Sequence, residues 1–269
     1  MIILKTIFFI GTGNMAFAIY SGIINSKIAN PYDIILFDKN TDQYSRFDKN
    51  CKKATDINDG ISKADYIFIS VKPQNVSEIL SQIDASNLEN KIFITICAGV
   101  TISSIESKLK NSKIVRAMPN TPLLIGQGVT ALCRNNNVSD YEYDFAKKIF
   151  ASSGIVTDIN ENDINAVTAI TSSSPAYVYT FIKSICDGAK KLNFNYNDTL
   201  KLVCQTLIGS ANMVLSSDLT VEEQINMVKS PNGTTERALN VLENMNFSNT
   251  VIDAMVACKK RADELSNID

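Results

Sequence analysis

The chain has 269 residues, of which 45% are hydrophobic and 20% are charged, and this composition excludes disorder as its main state. A chain of this length usually folds as more than one domain, so we expect two. The formal net charge of −2 and the lack of any apolar run of about 18 residues predict no nucleic-acid partner, no membrane partner and a cytoplasmic location.

Histidine is missing from the chain, which excludes imidazole bases, Ser-His and Cys-His nucleophiles and the usual zinc ligand sets. The six cysteines are scattered without a CxxC pair, which favours reduced structural thiols over a disulfide framework or a metal site. Any chemistry must therefore come from a cofactor, or from carboxylates, lysine, tyrosine, hydroxyls and backbone amides.

Short β-branched runs, with apolar residues at both odd and even positions, alternate with helical stretches through the first half of the chain. This alternation predicts a Rossmann-type, doubly wound α/β sheet. The predicted strands are Thr6–Ile10, Ile34–Phe37, Tyr66–Ser70, Ile92–Ile96, Lys113–Arg116, Val129–Cys133 and Ile155–Ile159. The predicted helices of this half are Asn14–Ser26, Gln74–Ile83, Ile102–Leu109 and Asp140–Ser152.

From Glu161 onward, apolar residues recur at the spacing of helices, which predicts an all-helical domain. Its predicted helices are Pro175–Leu192, Asp198–Leu215, Thr220–Lys229, Thr234–Leu242 and Asn249–Leu265. Several are apolar on more than one face, so we expect burial against a second subunit. We place the sheet domain at residues 1–159 and the helical domain at 160–269.

The first predicted strand runs into Gly11-Thr12-Gly13-Asn14-Met15-Ala16, which has the form G-x-G-x-x-A and opens a helix. Gly11 allows a tight turn, Gly13 lets the backbone approach a pyrophosphate, and Ala16 is small enough for close helix packing. The helix N-terminus then binds the phosphates. The motif predicts a dinucleotide site; the alternative is a glycine turn without a ligand.

Asp38 and Lys39 follow the second predicted strand, where a Rossmann domain meets the adenosine ribose. A carboxylate there accepts a hydrogen bond from the ribose 2′-hydroxyl of NADH, whereas a cation favours the 2′-phosphate of NADPH. Asp38 argues for NADH, and Lys39 keeps NADPH open. The alternative is a turn exposed to solvent.

Two further loops follow predicted strands, at the edge of the sheet where ligands bind in open α/β folds. They contain Ser70-Val71-Lys72-Pro73-Gln74 and Cys97-Ala98-Gly99-Val100. Taken alone, Lys72 is typical of a surface lysine before a helix. Beside the glycine motif it predicts a contact with ribose or phosphate.

Two segments of the helical domain are unlike packing sequence. One is Ser172-Ser173-Ser174-Pro175-Ala176-Tyr177 and the other is Ser230-Pro231-Asn232-Gly233-Thr234-Thr235-Glu236. Each alone is typical of a helix N-cap, because hydroxyl and amide side chains before a helix satisfy its first N–H groups.

Taken together, the motifs resemble pyrroline-5-carboxylate reductases from Ile10 to Leu242. The resemblance rests on Phe9-Ile10-Gly11-x-Gly13-x-Met15-Ala16, Val71-Lys72-Pro73, Ala98-Gly99-Val100-Thr101, Arg116-Ala117-Met118-Pro119-Asn120-Thr121-Pro122, Ser173-x-Pro175-Ala176-Tyr177 and Ser230-Pro231-x-Gly233-Thr234-Thr235. It implies NADPH- or NADH-dependent reduction of Δ1-pyrroline-5-carboxylate to L-proline, in an interlocked homodimer whose active sites use both subunits. The last motif is the most specific, since many families share the glycine turn.

The resemblance also implies roles for individual residues, with Thr235 as the catalytic hydroxyl on the ring nitrogen. Substrate would lie against Ser173, Ser230, Gly233, Thr234 and Thr235. The dinucleotide would lie against Ile10, Gly11, Thr12, Gly13, Asn14, Met15, Ser70, Val71, Lys72, Pro73, Cys97, Ala98 and Gly99. Asp38 and Lys39 join this set from their place after the second strand rather than from the resemblance. No metal is implied.

The chain departs from the family pattern at Ser172, Ser174 and Asn232, which stand where glycine is common, and at Asp38, since many members prefer NADPH. Asn232 suits the turn because asparagine tolerates a positive φ better than other non-glycine residues. Two rival hypotheses remain at this point: a β-hydroxyacid dehydrogenase-like reductase, whose catalytic lysine has no counterpart just after Pro175, and a nucleotide-sensing protein without activity.

Overall fold

The computed structural model describes residues 5–266, and its first part is an eight-stranded sheet. The spatial order is β3-β2-β1-β4-β5-β6-β7-β8, and every neighbouring pair is parallel except β6 with β7. This confirms the predicted doubly wound sheet. The strands are β1 (Ile7–Ile10), β2 (Ile34–Phe37), β3 (Lys52–Lys53), β4 (Tyr66–Ile69), β5 (Ile92–Thr95), β6 (Lys113–Pro119), β7 (Gly128–Arg134) and β8 (Gly154–Asp158).

Eleven α-helices lie within the described residues. Those in the sheet region are α1 (Asn14–Asn25), α2 (Ile57–Lys63), α3 (Val76–Gln82), α4 (Ile102–Lys108), α5 (Asp140–Ala151) and α6 (Ile164–Val167). The remaining helices are α7 (Ser174–Lys191), α8 (Tyr196–Leu215), α9 (Val221–Val228), α10 (Thr234–Asn244) and α11 (Phe247–Ser266). None of the helices described is long and apolar enough to cross a membrane.

Both faces of the central strands are buried, which explains why these strands are apolar at every position. Alternate residues of β1 enter different cores: Phe9 packs on one face and stacks on Phe68 of β4 at 4.8 Å, and Phe8 packs on the other face. Helices α1 and α5 cover the first face, and α2, α3 and α4 cover the second. The sheet therefore holds its carboxyl edge rigidly.

Sequence patterns missed β3 and α2. Two exposed lysines form β3, so no apolar run marks it. Helix α2 contains Gly60, whose missing side chain admits the Phe8 ring; a Cβ there would lie 2.3 Å from Phe8 Cζ. Strand β6 continues past the predicted end at Arg116 to Pro119, because its pairing with β7 extends it.

The contacts divide the described chain into two compact units, one formed by residues 5–175 and 258–266 and the other by 176–257. We call them the sheet unit and the helical unit. The predicted domain boundary at 159 and 160 stays a prediction. In the helical unit only Cys186 and Thr199 are buried.

Candidate functional site

The glycine turn after β1 is built as its sequence predicts. Gly11 has φ +92°, and a Cβ on it would lie 2.7 Å from the carbonyl oxygen of Ser70. Its N–H donates to the carbonyl of Phe37 at 2.8 Å, and Ser70 Oγ donates to its carbonyl at 2.7 Å. Any side chain at Gly11 would therefore push apart the ends of β1 and β4.

Gly13 faces open space at the N-terminus of α1. No atom lies within 4 Å of a Cβ built on it, and no side chain caps the helix. Asn14 accepts a hydrogen bond from Arg46 Nη1 at 2.8 Å. Free N–H groups of a twelve-residue helix beside an open backbone surface suit the pyrophosphate of a dinucleotide.

Asp38 lies at the carboxyl end of β2, where its side chain turns back onto the glycine loop. Its Oδ2 accepts from Thr12 N at 2.7 Å and from Thr12 Oγ1 at 3.0 Å, and its Oδ1 accepts from Asn40 N at 2.9 Å. Lys39 is paired with Glu78 of α3, with 2.7 Å between Nζ and Oε1. The two charges predicted to face the adenosine ribose therefore both have partners within the chain.

A pocket opens between the ends of β1, β2 and β4 and the start of α3. Its lining includes Gly11, Asp38, Lys39, Val71 and Glu78. The pocket brings three of the predicted cofactor segments together, at the edge of the sheet where a Rossmann domain meets the adenosine ribose. Lys72 is exposed and makes no ion pair with the described residues.

The loop after β5 brings Cys97 and Gly99 to the same edge of the sheet, where both make contacts within the fold. Burial raises the pKa of the Cys97 thiol to about 12, so at neutral pH it is a protonated donor to the carbonyls of Ile69 and Val71. Gly99 has φ +80°, and a Cβ on it would lie 2.7 Å from the Cβ of Leu265. The contact of this loop with a cofactor stays a prediction.

The segment around Ser173 does not form a helix N-cap, so the N-cap interpretation that its residue types favour is wrong. Residues Thr168–Ser172 form a π-helical turn between α6 and α7, and Ser173, which follows it, also has right-handed helical backbone angles. Pro175 has no N–H, so the carbonyl of Thr171, four residues earlier, loses its helical donor. Asn120 Nδ2 donates to that carbonyl at 3.1 Å, and Ser174 Oγ donates to the neighbouring carbonyl of Ile170 at 2.5 Å.

The predicted substrate residue Ser173 lies within that junction, where its Oγ accepts from Cys258 Sγ at 3.2 Å. The Ser172 hydroxyl is buried without a partner among the described residues. π-Helical turns are frequent at functional sites. The role of Ser173 stays a prediction.

The turn before α10 places the other predicted substrate residues in the helical unit. Gly233 N donates to the carbonyl of Ser230 at 2.9 Å, and a Cβ on Gly233 would lie 2.2 Å from Ser230 Oγ. Asn232 has φ +58°, which confirms that asparagine carries the turn where the family commonly has glycine. Gly233 itself is the N-cap residue of α10, so neither Ser230 nor Thr235 caps it.

Thr234 and Thr235 are the first two residues of α10. Their hydroxyls bond to no other residue that the structure describes, and no side chain caps the helix. Thr234 is exposed and Thr235 is partly exposed. An uncapped helix N-terminus flanked by free hydroxyls is suited to a carboxylate and a neighbouring hydrogen-bonding atom.

Comparisons with known proteins give one family for the whole chain. Residues 161–265 match the family model for pyrroline-5-carboxylate reductase dimerisation, and residues 6–99 match that for NADP oxidoreductase, coenzyme F420-dependent. The pyrroline-5-carboxylate reductase of Haemophilus influenzae is 33% identical over 98% of both chains. The chain belongs to the pyrroline-5-carboxylate reductase family.

Two other relatives support this membership. The Escherichia coli pyrroline-5-carboxylate reductase is 35% identical over 97% of this chain and 98% of its own. The Plasmodium falciparum pyrroline carboxylate reductase, solved with NADP bound, is 31% identical over 98% of both chains with a TM-score of 0.92. This member of the reductase family therefore has the full two-part architecture of its relatives.

Sequence reasoning missed several residues that build the site of this family member. Glu78 lines the pocket from a helix outside every motif. Arg116 belongs to one of the motifs, but sequence patterns assigned no role to it. Its side chain is 2% exposed, and its Nη1 lies 3.1 Å from Glu161 Oε1. The same Oε1 accepts from Ile102 N at 2.7 Å, so the pair fixes the start of α4 just after the Gly99 loop. The sequence signal that could have identified Arg116 is a charged residue within an otherwise apolar strand.

Proposed function

We propose that this chain catalyses the reduction of Δ1-pyrroline-5-carboxylate to L-proline with NADH or NADPH. The observation that carries this proposal is the turn formed by residues 230–235, which we call the substrate turn. It contains the most specific motif of the family, leads into a helix N-terminus without a side-chain cap, and leaves the hydroxyls of Thr234 and Thr235 without partners among the described residues. The bound nicotinamide supplies a hydride for the imine carbon of the substrate. The residues of the chain bind the substrate and the cofactor and orient them, a role that requires no histidine.

Thr235 is proposed as the hydrogen-bonding partner of the ring nitrogen. Its partly exposed hydroxyl has no competing partner among the described residues. A protonated imine is already electrophilic, so a positioned hydroxyl needs only to hold the nitrogen while charge leaves it. No strong acid is required.

The N-terminus of α10 is proposed to hold the substrate carboxylate. The first N–H groups of this eleven-residue helix carry a positive partial charge, and Gly233 keeps the turn close to Ser230. A side chain at Gly233 would displace Ser230 Oγ and open the turn. We therefore assign Ser230, Gly233 and Thr234 to substrate binding.

The chain is proposed to act as a homodimer built through the helical unit. That unit buries only Cys186 and Thr199, while large apolar side chains such as Leu202, Ile208 and Val256 are more than half exposed. Large apolar side chains exposed in this way mark an interface with another protein surface. The match to a reductase dimerisation model supports a second copy as the partner.

The test is oxidation of NADH or NADPH by the purified chain, followed by loss of the reduced-cofactor absorbance, with Δ1-pyrroline-5-carboxylate as substrate. We expect stoichiometric formation of proline, measured by chromatography. A β-hydroxyacid supplied with the oxidised cofactors serves as the control substrate. Turnover of the hydroxyacid without turnover of the imine would overturn the proposal.

A further inference from the structure

Three charged side chains line the pocket at the adenosine end of the sheet unit: Asp38, Lys39 and Glu78. Their formal charges sum to one negative charge at neutral pH. A ribose with free hydroxyls is neutral, whereas a 2′-phosphate brings up to two negative charges into the same space. The lining therefore distinguishes the two cofactors by charge before any other contact is made.

The negative charge of Asp38 is fixed in place. Its carboxylate accepts three hydrogen bonds, two from Thr12 and one from the backbone of Asn40. Thr12 is fully buried, so the carboxylate is anchored to a rigid part of the loop. A carboxylate has about four acceptor positions, which leaves one for a ribose hydroxyl.

Lys39 is the cation nearest to this carboxylate in sequence, and it is the residue that a 2′-phosphate would need. Its ammonium lies 2.7 Å from Glu78 Oε1 instead. Both side chains are more than half exposed, so the pair is weak in water. A weak pair still competes with a phosphate for the same ammonium, since Glu78 lines the same pocket.

Three other cations lie near this edge of the sheet: Lys72 makes no ion pair with the described residues and does not line the pocket, whereas the other two have partners of their own. Arg46 donates to Asn14 and lies 4.4 Å from the centroid of the Phe17 ring. Lys53 lies over the Tyr44 ring at 5.5 Å. Neither lines the pocket, so Lys39 is the cation among the described residues that a bound 2′-phosphate would meet first.

We infer that Glu78 is a specificity-determining residue, which disfavours a 2′-phosphate on the cofactor by holding Lys39. The inference deepens the proposed function, because it names which form of the cofactor the site selects. It places one determinant of selection on α3, outside the glycine motif and the strand that carries Asp38.

The experiment measures binding of two cofactor fragments by isothermal titration calorimetry: 2′,5′-ADP, which carries the 2′-phosphate, and 5′-AMP, which lacks it. Glu78→Gln is expected to tighten 2′,5′-ADP about 3- to 10-fold, with a change below about twofold for 5′-AMP. Glu89→Gln removes a charge from an exposed side chain just before the amino end of β5, and it is the matched control. We expect the control to alter neither fragment.

The double variant Lys39→Gln/Glu78→Gln tests the mechanism of the effect. If Glu78 acts by holding Lys39, most of the gain for 2′,5′-ADP disappears in the double variant. A gain that persists without Lys39, or an unchanged affinity in Glu78→Gln, would overturn the inference. Fragment binding requires no turnover, so this result is independent of whether the chain reduces pyrroline-5-carboxylate.

Discussion

The sheet unit and the helical unit differ in how far their apolar side chains are buried. In the sheet unit, β1, β4 and β5 are buried along their whole length, and their side chains fill two cores. In the helical unit the large apolar side chains stay exposed, and only Cys186 and Thr199 are buried. One chain therefore completes the first unit, whereas the second needs another surface to bury its apolar residues.

This difference also applies to the two proposed binding turns, which lie in different units. The dinucleotide turn is held by bonds within a single sheet unit, such as those of Gly11 to Phe37 and Ser70. The substrate turn belongs to the unit that is expected to depend on a second copy. Cofactor binding should therefore tolerate loss of the oligomer better than turnover does.

The largest expected effect is loss of the oligomer when a charge enters the apolar surface of α8. Ile208 is 55% exposed in one chain, and Ile208→Glu would bury a carboxylate at the interface. We expect self-association to weaken by at least about 100-fold, measured by sedimentation equilibrium. Ile155→Glu, at a 69% exposed position of β8, is the control and should leave association unchanged. An intact Ile208→Glu oligomer would place the interface elsewhere.

Removal of the Thr235 hydroxyl should lower kcat without loosening the fold. Thr235→Val keeps the shape of the side chain, and we expect kcat to fall about 10- to 1,000-fold. Thr220 is the matched control, because it is a true N-cap that bonds Glu223 at the start of α9. Thr220→Val should lower the free energy of unfolding by about 1 kcal/mol with near-normal turnover. The reverse pattern, read from kcat and melting temperature, would assign Thr235 to structure.

Cofactor choice tests the sheet unit alone. The wild-type chain should use NADH at least as well as NADPH, and Asp38→Ser should move the ratio of kcat/KM values about 10-fold or more toward NADPH. The reason is the anchored Asp38 carboxylate, which repels a 2′-phosphate. A wild-type preference for NADPH above about 100-fold would contradict this interpretation.

The smallest effect concerns the carbonyl of Ile170, in the turn just before Pro175. Ser174 Oγ bonds the Ile170 carbonyl, so Ser174→Ala should cost about 1–2 kcal/mol of unfolding free energy. Ser184→Ala, which removes a hydroxyl that bonds Thr180 O within α7, should cost less because that carbonyl keeps its helical N–H. Equal losses in chemical denaturation would show that the Ile170 carbonyl does not depend on the Ser174 hydroxyl.

Much of this molecule follows from short-range pattern. Continuous apolar runs predicted every long strand of the sheet, helical spacing predicted α7 to α11 to within a few residues, and G-x-G-x-x-A predicted the turn at Gly11. These features depend on residues a few positions apart, which a sequence displays directly. The absence of histidine likewise excluded imidazole chemistry from the sequence alone.

Tertiary structure alone decided which distant groups meet. Asp38 bonds Thr12, Lys39 pairs with Glu78, and the Gly99 loop packs against Leu265. Ser174 donates to a carbonyl of the preceding turn rather than capping α7, because the chain before it is already helical. Such pairings depend on how strands are ordered in the sheet and on how a helix returns to it. Local spacing therefore determined the elements, and only the packed chain determined the partner of each charge.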